Sequence, residues 1–250
     1  MKISFHYTYL IMAIGFILSG YITNLIVFTL IILVHELGHY FIAKLNNFKI
    51  DKIIIYPYGG ITKINININE NINKELSVAI GGILIQLILY LVIYMLYKNN
   101  YIRDYIFFLF SKYNRNILLF NILPIIPLDG SKILSLLLYK FIPYKLTNKV
   151  IIFISLFTLI ILLIINYYEL NYTMIMTISI MINNIYKYNK NINHLFNRFI
   201  LERYLYHYQY KNPKIIKKIG NMYKNKSHIF YNNKKYIKES DYIRRLFLKK

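Results

Sequence analysis

The chain has 250 residues, 57% of them hydrophobic and 17% aromatic, with a formal net charge of +21 and no cysteine. Its mean hydropathy is +0.40, and it carries repeated apolar runs of roughly 17 residues or more, about what a helix needs to cross a bilayer. These features exclude an ordinary soluble domain and indicate a polytopic membrane protein. Without thiols there is neither a disulfide framework nor a cysteine metal site. The heavy use of Ile, Asn, Lys and Tyr is what AT-rich codons produce, so the positive charge is no argument for a nucleic-acid partner.

In chain order, hydropathy predicts helical spans at 5–22, 23–45, 76–97, 113–130, 147–166 and 170–186. The first carries no small-residue cleavage site and reads as a retained span rather than a signal peptide. His6 opens it and fits an interfacial position. Between the second and third spans, Lys49-Ile50-Asp51-Lys52-Ile53 and Ile64-Asn65-Ile66-Asn67-Ile68-Asn69 alternate with period two around Pro57, Gly59 and Gly60. That texture predicts a small β-hairpin insert. Residues 101–112 suggest an interfacial or re-entrant segment, and 131–142 a helix continuing along or just within the membrane. The fold class expected is all-α and polytopic, with about six transmembrane helices.

Short-loop lysines fall mostly on the side of the N-terminus, which puts that side in the cytoplasm. From Lys187 the chain turns polar and basic, with more than half of all Lys and Arg but only Glu202, Glu239 and Asp241 as acids. Composition predicts a solvated, short cytoplasmic tail beside anionic lipid, with His194, His207 and His228 solvated or packed locally. The domain division expected is 1–186 in the membrane and 187–250 as the basic C-terminal region.

The chemistry is carried by His35-Glu36-Leu37-Gly38-His39, within the apolar run from Leu25 to Ala43. On a helix, residues four apart share a face, so both imidazoles reach one ion while Glu36 stands beside an attacking water as general base. Ionisable residues at this depth are costly unless paired or coordinated. A catalytic zinc takes three protein ligands. Asp129, in Asn121-Ile-Leu-Pro124-Ile-Ile-Pro127-Leu-Asp129-Gly130, is the carboxylate inside a span; Asp104, Glu70, Glu75 and Glu169 lie near ends or in loops. With the N-terminus inside, His35, His39 and Asp129 fall at similar depth, toward the cytoplasm. Pro124 and Pro127 each remove a backbone donor, so the segment should be partly extended, with free backbone groups to hold a substrate strand. Gly130 would let the chain turn closely around the metal.

At these residues the chain resembles the site-2 protease family of intramembrane zinc metalloproteases, which pairs an HExxH helix with a later N-x-x-P-x-x-P-L-D-G-like segment. The resemblance covers roughly residues 1–186. It implies zinc as cofactor, Asn121 near the substrate, and a membrane-associated regulatory protein as substrate. Within the family, the small six-span plan with a C-terminal extension implies a sigma-factor precursor cleaved during sporulation, inhibitory membrane-protein partners, and a multi-pass location in the cell membrane. In that branch the extension is a nucleotide-responsive CBS domain; residues 187–250 would be a reduced CBS-like module. Two positions depart from the family pattern. The third span reads Gly82-Ile83-Leu84-Ile85-Gln86 without the usual proline, although Gln86 keeps an amide for substrate or water. Ser131 stands where a second glycine commonly follows Asp129-Gly130.

Overall fold

The computed structural model describes residues 2–57, 59–165, 172–206, 208, 210, 213–232 and 235–248. They form two compact units, Met1–Ile66 with Leu76–Leu123, and Asn67–Glu75 with Pro124–Lys250. Helix dominates, as the apolar runs predict.

The first unit opens with strand β1 (Ile3–Phe5) and helix α1 (Tyr7–Leu18), whose N-terminus is capped by His6 accepting from the Thr8 amide. Helix α2 (Ile22–Leu45) follows, then the expected hairpin, β2 (Lys49–Tyr56) and β3 (Gly59–Asn65). β1 pairs parallel to β2, and β2 antiparallel to β3 with Ile53 opposite Thr62 and Ile55 opposite Gly60. Because strand side chains alternate faces, Ile53 and Ile55 point the same way. Both are fully buried in a cluster with Ile32 of α2 and Tyr9 of α1. Their cross-strand partners Gly60 and Thr62 therefore face α2 as well.

Helix α3 (Ile72–Lys98) leads to α4 (Asp104–Ile122). Among the described residues, three helices are long and apolar enough to cross a membrane: α2, α3 and α6 (Tyr144–Ile165). The other expected spans differ from the hydropathy reading. α1 has 12 residues, about 18 Å at 1.5 Å per residue, and the span expected at 5–22 begins instead as a strand. Residues 104–112, expected as a separate interfacial segment, are the first half of α4. The polar patch there belongs to one continuous helix, with Lys112, Arg115 and Asn116 outward and Asn114 buried. The span expected at 170–186 is the start of the longer α7 (Tyr172–Tyr206), which runs on through the composition change at Lys187. Positions 166–171, which include Glu169, lie outside the described residues.

In the second unit, residues 124–128 are non-helical ahead of α5 (Asp129–Leu138), as the two prolines predict. Ser155 of α6 closes this segment: its hydroxyl lies 3.1 Å from the Pro124 carbonyl, and it accepts from the Ile126 amide at 3.2 Å. The hydroxyl's single hydrogen also faces the Ile151 carbonyl at 2.8 Å, so of the backbone groups expected to be open to a substrate strand it is the Ile126 amide that is engaged within the protein. After α7 come β4 (Lys214–Ile216), β5 (His228–Asn232), β6 (Lys235–Lys238) and α8 (Glu239–Leu248). β4 and β5 are parallel; β5 and β6 are antiparallel.

The solvated tail is therefore corrected. Met222, Phe230 and Ile243 are buried, and the Phe230 and Tyr242 rings stack with centroids 3.8 Å apart. The reason is that its basic residues do not all face solvent. Arg203, almost fully buried, donates to Asn69, Glu239 and the carbonyls of Tyr223, Lys224 and Lys226. Lys224 pairs with Glu75. His194 is exposed, as expected, and His228 is buried; His207 lies outside the described residues.

Candidate functional site

Helices α2 and α3 cross at glycines. A Cβ on Gly38 would stand 2.4 Å from the Gly81 carbonyl oxygen, and one on Gly81 would stand 2.7 Å from Ile42 Cγ1. Only small residues allow backbones this close. Gly38 lies between His35 and His39, so the crossing brings the α3 residues Val78, Gly82 and Gln86, spaced by four on one face, to the two imidazoles.

Each α3 residue meets them differently. The Val78 carbonyl lies 2.8 Å from His39 Nδ1. A carbonyl oxygen only accepts, so Nδ1 carries the ring hydrogen and Nε2 keeps its lone pair. Gln86, with no exposed surface, sets Oε1 2.9 Å from His35 Nδ1 and donates from Nε2 to the Asn114 carbonyl at 3.0 Å. Gly82 leaves a gap: a Cβ there would be 2.5 Å from His39 Nε2 and 2.8 Å from His35 Nε2.

The two Nε2 atoms face each other at 3.2 Å. His35, Glu36 and His39 are all buried, and each offers a ligand atom within 4.8 Å of the others. Zinc–imidazole bonds of 2.0–2.1 Å at a tetrahedral angle separate two nitrogens by about 3.3 Å. Paired imine nitrogens, a neighbouring carboxylate and a gap kept by glycine therefore fit zinc.

Glu36 is oriented from the sheet. Thr62 Oγ1 donates to Glu36 Oε2 at 2.6 Å, and a Cβ on Gly60 would lie 2.3 Å from Glu36 Cγ. The hairpin register explains both, since Thr62 and Gly60 face α2 opposite Ile53 and Ile55. Asn24 of α2 also donates to the Tyr113 hydroxyl of α4 at 3.0 Å.

His35, Glu36 and His39 are thus together, as their spacing predicts. Asp129 begins α5 in the second unit, is buried, and receives a hydrogen bond from Lys132 Nζ at 2.9 Å. Gly130 follows it, buried in the first turn of α5. Ser131 bonds back to the Leu128 carbonyl at 2.7 Å. Asn121 sits half-buried in the last turn of α4, and Pro124 is half-buried at the start of the second unit. Gln86, expected at substrate or water, has both polar ends engaged by His35 and Asn114. Sequence reasoning missed Thr62, Gly60, Val78 and Asn114. The pairing of Thr62 and Gly60 with buried isoleucines was a usable signal; a backbone carbonyl such as that of Val78 leaves none.

Comparison with known proteins finds similarity to a peptidase family, a curated protein and solved structures. The model of peptidase family M50 matches residues 23–103, which include all of α2 but its first residue and the whole of α3. Stage IV sporulation protein FB of Bacillus subtilis is 31% identical over 150 residues, covering 60% of this chain and 52% of that protein, so the match spans about half of the relative's length. Among solved structures, the site-2 protease from Methanocaldococcus jannaschii matches with a TM-score of 0.58 and 25% identity, over 75% of this chain and 91% of that one.

Proposed function

We propose that the chain is a member of peptidase family M50, the site-2 proteases, and that it is an intramembrane zinc endopeptidase acting on a membrane-associated regulatory protein; the family match, the sporulation relative and the similar solved structure support this reading. On that reading it is a membrane-bound metalloprotease. The observation that carries the finer reading is the buried His35–Glu36–His39 cluster with both Nε2 atoms turned to the gap at Gly82.

His35 and His39 would hold zinc through Nε2, with the Asp129 carboxylate as third ligand. Bound zinc supplies Lewis-acid polarisation of the scissile carbonyl and makes a water easier to deprotonate. Glu36, held at Oε2 by Thr62, takes the water's proton as the water oxygen bonds to the carbonyl carbon. It then delivers that proton to the amine nitrogen as the C–N bond breaks. General base and acid action of this kind contributes about 10²–10⁴-fold. Asn121 and Pro124 would contact the substrate strand. Closely packed, water-poor surroundings strengthen each of these interactions.

We infer a multi-pass location in the cell membrane with the catalytic side toward the cytoplasm, supported by the lysine bias of the short loops. Residues 1–186 would form the membrane domain and 187–250 a cytoplasmic, reduced CBS-like region. We propose a sigma-factor precursor as substrate, in keeping with the similarity to a sporulation protein, and inhibitory membrane proteins as partners.

The test is co-expression with membrane-tethered sigma-factor precursors. Processing by the wild type, absent with Glu36→Gln although that variant retains zinc, is the expected result. Processing at near wild-type rate by Glu36→Gln would remove the assigned chemistry.

A further inference from the structure

We propose that Gln86 is a positioning residue that fixes the tautomer of His35, acting as a relay from a backbone carbonyl of α4. The inference rests on the metal-centre reading of His35 and His39.

The relay begins at Asn114. Its carbonyl oxygen can only accept, and Gln86 Nε2 donates to it at 3.0 Å. That bond sets the amide's orientation. Flipped, Gln86 would press Oε1 against the Asn114 oxygen, two buried acceptors with no hydrogen between them, which is the costly arrangement for a site without water. With the orientation set, Oε1 must face His35 Nδ1, and at 2.9 Å it accepts a hydrogen from that nitrogen. His35 Nδ1 therefore carries the ring proton and Nε2 is left with its lone pair toward Gly82 and His39. The opposite tautomer would put a hydrogen in the gap.

His39 reaches the same state by a shorter route, because Val78 offers its carbonyl directly at 2.8 Å. α3 thus specifies both histidines, one from its own backbone and one through a side chain that borrows the backbone of α4. Gln86 has no exposed surface and spends its amide on these two bonds, so its role is exercised on the ligand rather than on a substrate. Groups that accept from a metal-bound histidine generally tune metal affinity by 10–100-fold.

The experiment uses full-length protein in detergent and measures zinc affinity by chelator competition, alongside kcat and KM for a processed substrate. Gln86→Leu, close in volume, should weaken zinc binding 10–100-fold, leave KM unchanged, and recover kcat in excess zinc. Gln86→Glu keeps an acceptor for Nδ1–H but loses the donor to the Asn114 carbonyl, so it should hold zinc more tightly than Gln86→Leu and more weakly than wild type. If Gln86→Leu fails to fold, the wild-type protein decides alone: nitrogen-15 NMR of the zinc-free, full-length protein should show His35 with its proton on Nδ1, and a proton on Nε2 overturns the relay. Wild-type zinc affinity with a raised KM in Gln86→Leu would assign the residue to substrate and overturn it also. His39→Ala separates the two levels: equal zinc content in that variant and in wild type would bring down the metal centre itself, and the relay with it.

Discussion

Thr62 donates its hydroxyl hydrogen to Glu36 Oε2 at 2.6 Å, from a strand whose register is set by residues on the facing strand. A carboxylate so held has one oxygen committed, and Glu36 is the proposed base. Thr62→Val keeps the β-branched shape and removes the donor. It should lower kcat about tenfold or more, within the range such proton transfer contributes, with zinc content unchanged. Thr62→Ser should retain most of the rate. Equal rates in all three proteins would show that the hydroxyl does not orient the base.

On the proposed ligand set, Asp129→Ala should lose zinc on purification while Glu36→Gln retains it, because the first would remove a ligand and the second only the proposed base. Metal analysis of the two variants beside wild type is sufficient. Full zinc occupancy in Asp129→Ala would strike that residue from the ligand set and leave the third position to another group.

Gly82→Ala is a single methyl in the wrong place. It would stand 2.5 Å from His39 Nε2, well inside contact distance, so zinc affinity should fall steeply while helix content by circular dichroism stays near wild type. Normal zinc binding in this variant would mean that the two imidazoles can turn away together and still coordinate.

Acid should loosen the C-terminal module. Burial pushes the His228 imidazole below its ordinary 6.5. Its ring is fully used when neutral, with Nε2 accepting from the Tyr223 amide at 2.9 Å and Nδ1 facing Glu239 Oε2 at 2.9 Å. Burial alone would raise Glu239, but the hydrogen bond from His228 and the Arg203 guanidinium hold it below 4.5. In both cases the unfolded chain takes up protons first as pH falls, so stability declines from about pH 6.5 downward and further below about 4.5. Hydrogen exchange across 214–248 should report falling protection over that range, and His228→Gln should remove the upper part of it. Protection that rises on acidification would reverse the sign.

The HExxH helix was legible because helical geometry turns a spacing of four into a shared face, and an apolar context makes the polar residues conspicuous. The hairpin was legible from alternation alone. Gln86 was found on the correct element, yet a residue's type does not disclose its partner, and only the crossing at Gly38 and Gly81 sets it against His35. β1 is three residues long and carries no period to read. The C-terminal module escaped because Lys, Arg and Tyr look solvent-seeking in composition, whereas Arg203 and Lys224 are interior groups whose acceptors are largely backbone carbonyls and distant acids. α4 was divided in two by its polar patch, in which Lys112, Arg115 and Asn116 share the outward face of a single helix while Asn114 is buried.

Asn69 and Arg203 are separated by 134 positions, and Arg203 in turn needs Tyr223 to Glu239 to complete its bonds. At roughly 5–20 residues per second, translation exposes the loop that precedes α3 on the order of ten seconds before its anchor exists. A newly made copy therefore carries its histidine helix through a period in which that loop is unsecured. Premature termination anywhere before residue 239 would make the condition permanent.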